Sequence, residues 1–493
     1  MTVPPIRSPF LARVAQASSA GSPLHLYWQA RRLVLPFAPE YSRSRATTLA
    51  TTMADALPAP SARPLAEGDL VRVILDDARH ITALEWVGGA LPATLPAIRA
   101  DGDTVPSGAP SAIRADGDAV RWRRPVEAPS RMEALAFRHR VLRAIREWFD
   151  VEGFLELDTP SLVRAPSPEP QFDPIPAGPG WLITSPEFQL KRLLVGGFER
   201  ILRIGPAFRG GEQGRHHNSE FTLLEWYRLD ASGKAPGDLL AADLSALLRH
   251  LAPLAQDFAE VHAQPEQRDA LLALASEMSG RMLPGTTSPN ALPQDPASPY
   301  PPFLDSPIVK AASINHSAFL STFLKITVAA LVRQTTGVEL GGVVTLSALR
   351  AALALADAPE RGMSGDFTEL FSALWVRVEE RLPQSPLLVV DWPAPLASLA
   401  RLKPGDPSVA ERMELYVRGV ELANGFVELT DATEQRRRFE ADRAARVAQG
   451  RPPVPLDERF LAALEEGLPP CVGMALGVDR LVMLLCGAVD IRT

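Results

Sequence analysis

Cysteine is almost absent from this chain of 493 residues, which contains only Cys471 and Cys486. Two cysteines provide neither a disulfide framework nor the paired spacing of a zinc site. The composition therefore excludes a small disulfide-stapled secreted domain and favours a reducing, cytoplasmic compartment. The sequence also lacks any run of about 18 uncharged apolar residues, so we expect no membrane-spanning helix.

A surplus of basic residues is missing as well. The chain has 51 Lys and Arg against 58 Asp and Glu, a formal net charge of −7. This balance gives no broad attraction to nucleic acid, although a local basic patch can still bind tRNA. We therefore do not expect tRNA as a partner. The hydrophobic content of 46% predicts a large core and two or three domains.

The first 125 residues differ in composition from the rest. Residues 1–60 are rich in Arg, Ser, Ala and Thr and poor in acids, as a transit peptide would be. We prefer to interpret them as a disordered tail or as the result of a start codon that belongs at Met53. Residues 61–125 contain short β-like runs and predict a small β-rich module, with too few strands for a five-stranded nucleic-acid-binding barrel.

A second unusual stretch lies between about 255 and 325 and is rich in Pro, Ser and Gly at its centre. Such a composition buries too little apolar surface to order itself, so we interpret it as a mobile surface insertion. Residues 319–333 and 346–355 have helical patterns and mark where the core resumes.

Acidic residues are concentrated in the apolar stretch 411–430, with Glu414, Glu421 and Glu428 among alternating apolar residues. The alternation predicts a pair of strands, with Asn424-Gly425 as a turn or bulge signal. Carboxylates beside a packed sheet need cations, and two of them suit Mg²⁺ that also binds phosphates. An ordinary amphipathic strand with solvated acids is the alternative.

Two further segments suggest phosphate chemistry. Arg209 follows an apolar strand and precedes Gly210 and Gly211, which suits a guanidinium fork on a phosphate with no side chain in the way. A hairpin with a charged tip explains this segment equally well. Around Gly477 a strand turns into an apolar helix that begins near Arg480. Because a helix N-terminus already carries partial positive charge, an arginine there needs an anion or an aromatic face as a partner. Either Asp479 or ATP would satisfy it.

Taken together, these segments resemble motifs 2 and 3 of the class II aminoacyl-tRNA synthetases, lysyl branch. The matching segments appear in family order at 183–197, 209–228, 411–432 and 473–484. Within that branch, Ala475 and the runs at 225–228, 391–394 and 428–431 are similar to the shortened paralogues that attach (R)-β-lysine to elongation factor P.

The resemblance implies an α+β catalytic domain over residues 126–493, with an antiparallel sheet flanked by helices. It also implies ATP and Mg²⁺ as cofactors, (R)-β-lysine or lysine as substrate, and elongation factor P as the acceptor. Residues 148–160 are similar to motif 1, and this similarity implies a homodimer.

The same resemblance implies a role for each matching residue. Arg209 and Arg480 would act on the phosphates of ATP as the catalytic cations. The remaining ATP contacts would be Gly210, Gly211, Glu212, Asn218, Phe221, Glu421, Leu422 and Gly477. Glu414 and Glu421 would hold Mg²⁺. The amino acid would contact Ser185, Pro186, Glu187, Glu225, Tyr227, Asn424, Glu428 and Ala475. Of these, Ser185, Pro186 and Glu187 would receive the amino group near the carboxylate, and Glu225, Tyr227 and Glu428 the side-chain ammonium.

Two positions depart from the family pattern. Gly211 stands where these synthetases usually have an acid, so we expect Glu212 to take over its role by a shift of the loop. Ala475 replaces a glycine of the lysyl-tRNA synthetases, and its methyl would reshape the amino-acid pocket, with discrimination of about 1–3 kcal/mol.

Three hypotheses follow. The first is ATP-dependent β-lysyl ligation onto elongation factor P through an aminoacyl-adenylate. The second is lysyl-tRNA charging, which an intact barrel near the N-terminus would support. The third is a catalytically silent, synthetase-like regulatory or binding protein, which loss of ATP binding would support.

Overall fold

A computed structural model describes residues 131–229, 236–263, 265–280, 323–340, 342–356 and 365–491, together with five strands near the N-terminus. The chain divides into two compact units, residues 1–136 and 137–493.

The N-terminal unit contains one antiparallel sheet with the strand order β3-β2-β1-β4-β5. Its strands are β1 (Phe10–Gln16), β2 (Leu24–Trp28), β3 (Arg31–Leu35), β4 (Leu70–Leu75) and β5 (Ile81–Gly88). Three of these strands lie within residues 1–60 and two within residues 61–125. The interpretation of residues 1–60 as a disordered tail or a misplaced start, and of residues 61–125 as a separate β-rich module, stays a prediction. The prediction of a start at Met53 is not tested.

The second unit is built on a nine-stranded sheet, confirming the predicted α+β fold. The strands that follow β5 are β6 (Leu155–Glu156), β7 (Leu162–Val163), β8 (Pro176–Ala177), β9 (Gly180–Leu182), β10 (Arg200–Phe208), β11 (Glu220–Leu229), β12 (Leu324–Thr327), β13 (Leu387–Pro393), β14 (Leu402–Lys403), β15 (Asp406–Val417), β16 (Val420–Val427) and β17 (Cys471–Gly477). The main order is β12-β13-β15-β16-β17-β11-β10-β6, β14 pairs with β15, and β7-β9-β8 form a small separate sheet. The interior pairs are antiparallel, whereas β6 with β10 and β12 with β13 are parallel.

Helices flank this sheet and bury their apolar faces. They are α1 (Arg131–Val151), α2 (Glu187–Val195), α3 (Pro236–His262), α4 (Pro265–Ser279), α5 (Val328–Thr336), α6 (Leu346–Leu355), α7 (Phe367–Glu379), α8 (Ala432–Ala448), α9 (Glu458–Gly467) and α10 (Val478–Cys486). On one side, Phe188 of α2 stacks on Phe460 of α9 with ring centroids 4.6 Å apart. This aromatic contact holds α2, which borders the site, against the C-terminal helices.

The strand pair expected around residues 411–430 is present as β15 and β16, but its turn lies elsewhere. The chain reverses at Arg418-Gly419, where φ is 53° and 72°. Asn424-Gly425 lies inside β16 instead. A Cβ at Gly425 would lie 2.7 Å from Met474 Cε, so this glycine allows a close contact between neighbouring strands rather than a turn.

Two other boundaries differ from the sequence analysis. The helix expected over 319–333 begins only at Val328. The run Leu324–Thr327 is a strand instead, because it pairs with β13. Residues 319–322 lie outside the described residues. The expected helix at 346–355 is confirmed. The insertion placed at 255–325 is helical up to Ser279, and residues 281–322 lie outside the described residues. Of the helices that are described, none is long and apolar enough to cross a membrane.

Candidate active site

A cavity of about 650 Å³ lies on the face of the central sheet where β11, β16 and β17 run side by side. Most of the residues that the sequence analysis assigned to the site line this cavity. The ones that do are Ser185, Glu187, Arg209, Glu212, Asn218, Phe221, Glu225, Tyr227, Glu414, Glu421, Leu422, Asn424, Ala475, Gly477 and Arg480. Pro186, Gly210, Gly211 and Glu428 are not among its lining residues.

Arg209 lies at the end of β10 with its guanidinium against two aromatic rings. Its Cζ is 4.0 Å from the ring centroid of Phe172 and 5.2 Å from that of Phe221. Burial lowers the pKa of Arg209, and its buried Nε has no hydrogen-bond partner. Within the described part of the chain, no carboxylate forms an ion pair with it. A buried cation in this state is suited to an anionic ligand.

The two glycines after Arg209 serve the loop rather than the cavity. The Gly210 amide donates to Asp173 O at 2.7 Å, and a Cβ on Gly210 would lie 3.0 Å from that oxygen. Gly211 has φ +76°, which an acidic residue adopts at a cost. Glu212 lines the cavity and acts electrostatically on Arg209, which agrees with the shift of the loop that the sequence suggested.

Arg480 begins α10 and is held by main-chain oxygens from two neighbouring segments. Its Nη1 donates to Glu421 O at 2.7 Å and its Nε to His216 O at 3.2 Å, while Nη2 lies 2.7 Å from His217 Nε2. Asp479 is not its partner, because that carboxylate bonds to Arg138 and to the Thr222 amide. The Nη1 of Arg480 also lies 3.6 Å from Glu421 Oε2, a long ion pair, so Arg480 is fixed in the cavity wall next to that carboxylate.

Glu414 is a buried carboxylate with a dense set of donors. It accepts from Arg412 Nη2 at 2.6 Å, from the Tyr416 hydroxyl at 2.7 Å and from Asn424 Nδ2 at 3.2 Å. Burial and, next, the charge of Glu421 raise the pKa of Glu414 to about 7. The charges of Glu414 and Glu421 repel each other, and a cation bound between the two carboxylates would relieve this repulsion.

The carboxylates of Glu414 and Glu421, which both line the cavity, fit Mg²⁺ in chemical type. No group of three or more candidate metal ligands occurs among the residues with described positions. Mg²⁺ takes one or two carboxylates and leaves its other positions to water and phosphate oxygens, so a pair is sufficient. Glu379 of α7 lies nearby: its Oε1 is 3.1 Å from the Tyr416 hydroxyl oxygen, and burial raises its pKa to about 7.

Glu225 forms the floor of the opposite end of the cavity. It is 1% exposed, and it accepts from Ser185 Oγ at 2.6 Å and from the Tyr227 hydroxyl at 3.2 Å. Burial and the charge of Glu187 raise the pKa of Glu225 to about 8. No Lys or Arg of the described segments pairs with it, so a cationic ligand group would be stabilised here.

Glu187 and Glu428, the other two acids assigned to substrate, share a protein cation that the sequence analysis missed. Lys191 is fully buried, with its Nζ 2.6 Å from Glu187 Oε1 and 2.5 Å from Glu428 Oε2. Although burial opposes it, the two carboxylates raise the pKa of Lys191. The i,i+4 spacing of Glu187 and Lys191 on α2 was the available signal.

Ala475 occupies the centre of the amino-acid end. In β17 it lies directly between Glu225 of β11 and Asn424 of β16. Two residues earlier on the same face, Gly473 packs so closely on the Tyr227 ring and the Glu428 carboxylate that no Cβ fits there. The methyl of Ala475 is therefore a side chain at the base of the pocket, as the sequence analysis expected.

Comparison with known proteins gives a consistent result. Residues 119–493 match the family described as tRNA synthetases class II (D, K and N). The chain is 34% identical to an elongation factor P (R)-β-lysine ligase of Vibrio vulnificus, over 73% of this chain and 94% of the relative. It is 33% identical to the enzyme of that name from Vibrio cholerae (70% and 89% covered) and 35% identical to that from Edwardsiella ictaluri (71% and 89%).

Proposed function

The chain belongs to the class II tRNA synthetase family (D, K and N) and is an amino-acid ligase of that type, and on this premise we propose that it activates (R)-β-lysine, or lysine, with ATP. The activated group is then transferred to a lysine side chain of translation elongation factor P. The acceptor and the substrate are those in the names of the relatives.

The observation that supports this proposal most directly is the separation of charge along one cavity. Arg209 and Arg480 line the cavity together with the carboxylate pair Glu414 and Glu421. Glu225, which forms no ion pair in the described segments, lines it from β11, three strands away from Glu414 on β15. A polyphosphate with its metal ion suits the first set of residues, and an ammonium group suits Glu225. A lysine activated by ATP has both features.

The reaction needs no protein nucleophile. A carboxylate oxygen of the amino acid attacks the α-phosphorus of ATP, pyrophosphate leaves, and an aminoacyl-adenylate forms. The amine of the acceptor lysine then attacks the acyl carbonyl, and AMP leaves. Arg209 neutralises charge that develops on the α-phosphate, and Arg480 holds the nucleotide. Glu414 and Glu421 would hold Mg²⁺, which would neutralise charge on the phosphates.

The deciding experiment is ATP–pyrophosphate exchange with purified protein and either α-lysine or (R)-β-lysine, followed by transfer of the labelled acyl group to elongation factor P or to tRNA. Exchange that favours β-lysine, with transfer to the protein, would support the proposal. Absence of exchange with every amino acid would leave the silent binding protein as the better hypothesis.

Lysyl-tRNA charging is the second candidate, favoured by the N-terminal sheet. That sheet has five antiparallel strands, the number that a nucleic-acid-binding five-stranded barrel requires. Transfer of the label to tRNA in the same experiment would establish this function instead.

Binding of the diamino acid is expected to depend on pH through Glu225. Since burial raises the pKa of Glu225 to about 8, its carboxyl is mostly protonated at pH 7. An ammonium ligand favours the ionised form, so binding releases a proton and affinity rises with pH up to about 8, by at most about tenfold per unit. Calorimetry in buffers of different ionisation enthalpy measures the released proton. The pH dependence should vanish in Glu225→Gln; a wild-type affinity that is constant between pH 6 and 8 would contradict this role.

The Ala475→Gly variant is expected to reduce discrimination between the two lysine isomers. Removal of one methyl from a pocket changes relative rates by about 10–200-fold, because it alters only about 1–3 kcal/mol of contact. The ratio of exchange rates for α-lysine and (R)-β-lysine is the measurement. Ala410→Gly, at a buried position of β15 outside the cavity lining, controls for the loss of strand stability. An unchanged ratio would show that this methyl does not select the isomer.

A further inference from the structure

The buried carboxylates around the cavity divide into those that form an ion pair with a protein cation and those that do not. Four glutamates near it are at least nine-tenths buried: Glu169, Glu225, Glu414 and Glu428. Glu414 pairs with Arg412, and Glu428 pairs with Lys191. Over the segments whose side chains are described, neither Glu169 nor Glu225 has a cation within ion-pair distance. Two buried carboxylates thus lack a protein cation in a cavity proposed for a diamino acid.

Glu169 is held by hydroxyl groups alone. Its Oε2 accepts from Ser167 Oγ at 3.2 Å, and its Oε1 accepts from Ser398 Oγ. Ser398 has φ 49°, a left-handed conformation that is uncommon for serine. Strain of this kind persists where the surrounding structure enforces it, often at a ligand site. Two hydroxyls orient the carboxylate but leave its negative charge unpaired.

The segment that bears Glu169 is anchored at its main chain. Arg446 of α8 donates to Glu169 O at 3.1 Å and to Phe172 O at 2.6 Å, and Arg451 donates to Pro170 O at 2.6 Å. Phe172 of the same segment packs on Arg209. Glu169 is therefore fixed in the cavity wall near Arg209, the residue proposed above to act on the α-phosphate.

We propose that Glu169 is a specificity-determining residue that receives the ammonium group nearest the substrate carboxylate, while Glu225 receives the distant one. This inference rests on the proposed function and extends it to the class of substrate. Only an amino acid with two ammonium groups neutralises both carboxylates, and a monoamino acid leaves one of them buried and unpaired. Burial raises the pKa of Glu169, and the charge of Glu187 adds to this shift, while the Ser398 hydrogen bond and the more distant charges of Arg412 and Arg209 oppose it.

The test compares two isosteric variants against two ligands by titration calorimetry. Glu169→Gln should weaken binding of (R)-β-lysine or lysine by about 10–100-fold, the effect of losing one charge-assisted hydrogen bond. Its affinity for 6-aminohexanoate, which lacks the amine near the carboxylate, should equal that of the wild type. Glu225→Gln should weaken both ligands. Ser398→Ala, which removes one hydroxyl from Glu169, should act in the same direction as Glu169→Gln but less strongly.

Glu440→Gln is the control, because Glu440 is an exposed carboxylate of α8 that lies outside the cavity lining. This variant should leave the affinity for both ligands unchanged. If Glu169→Gln weakened the binding of both ligands equally, its role would be structural. If the affinity for the diamino acid were unchanged, Glu169 would have no role in binding it. Either result would overturn this inference and leave the proposed function standing. A wild-type protein that binds no lysine isomer would overturn the proposed function, and this inference with it.

Discussion

The rate of ATP–pyrophosphate exchange is expected to fall by about 10²–10³-fold in the Arg209→Ala variant. A loss of this size is usual when one preorganised hydrogen-bond donor to a developing anion is removed. Arg209 is the appropriate residue because it is buried, forms no ion pair in the described segments and is oriented by the rings of Phe172 and Phe221. The variant should retain its fold, since those rings remain packed in the wall of the cavity.

Two further variants sharpen the result for Arg209. Arg209→Lys keeps the charge but loses the planar fork, so it should recover only part of the rate. Arg437→Ala removes an arginine on the exposed face of α8, where it pairs with Glu434, and should leave exchange unchanged. Exchange in Arg209→Ala within threefold of wild type, about 0.7 kcal/mol, would exclude this arginine from the chemical step.

The Lys191→Met variant is expected to destabilise the protein by about 3–5 kcal/mol, because it leaves the buried Glu428 and the partly buried Glu187 without their cation. Lys191 is fully buried, and it is the ion-pair partner of both Glu187 and Glu428. Denaturant-induced unfolding of wild type and variant measures the difference in free energy. The methionine fills most of the volume of the lysine, so the loss reports on charge rather than on packing.

A triple variant is the control for this prediction. Lys191→Met combined with Glu187→Gln and Glu428→Gln removes all three charges, and it should recover a large part of the lost stability. If the single variant lost less than about 1 kcal/mol, the carboxylates would have to be protonated or solvated instead of ion-paired.

Residues whose function depends on a local pattern could be predicted from the sequence. Arg209 at a strand end, Arg480 at a helix start and Glu414 in an alternating strand all line the cavity. Family resemblance extended these local signals to the amino-acid end at Glu225 and Ala475. The overall α+β architecture followed from the same motifs, because their order along the chain matches one fold.

What the sequence did not predict depends on long-range contacts. Glu169 lies in a proline-rich segment that has no periodic signal, and only its anchoring by Arg446, 277 residues away, makes it part of the wall. The Asn424-Gly425 dipeptide looked like a turn, yet the glycine is required by Met474 on the neighbouring strand. The proposed use of ATP is a prediction that the exchange experiment tests, and the Mg²⁺ and dimer assignments also stay predictions.

The base of the pocket also limits how its specificity can evolve. Gly473 and Ala475 are adjacent on one face of β17, but the first has no room for a methyl against Tyr227 and Glu428. A mutation at 473 would disrupt the buried acid cluster, whereas 475 already tolerates a side chain between two strands. Of these two neighbours, only position 475 can change the shape of the pocket without loss of the fold. Selection for a different amino acid would therefore act first on that single codon.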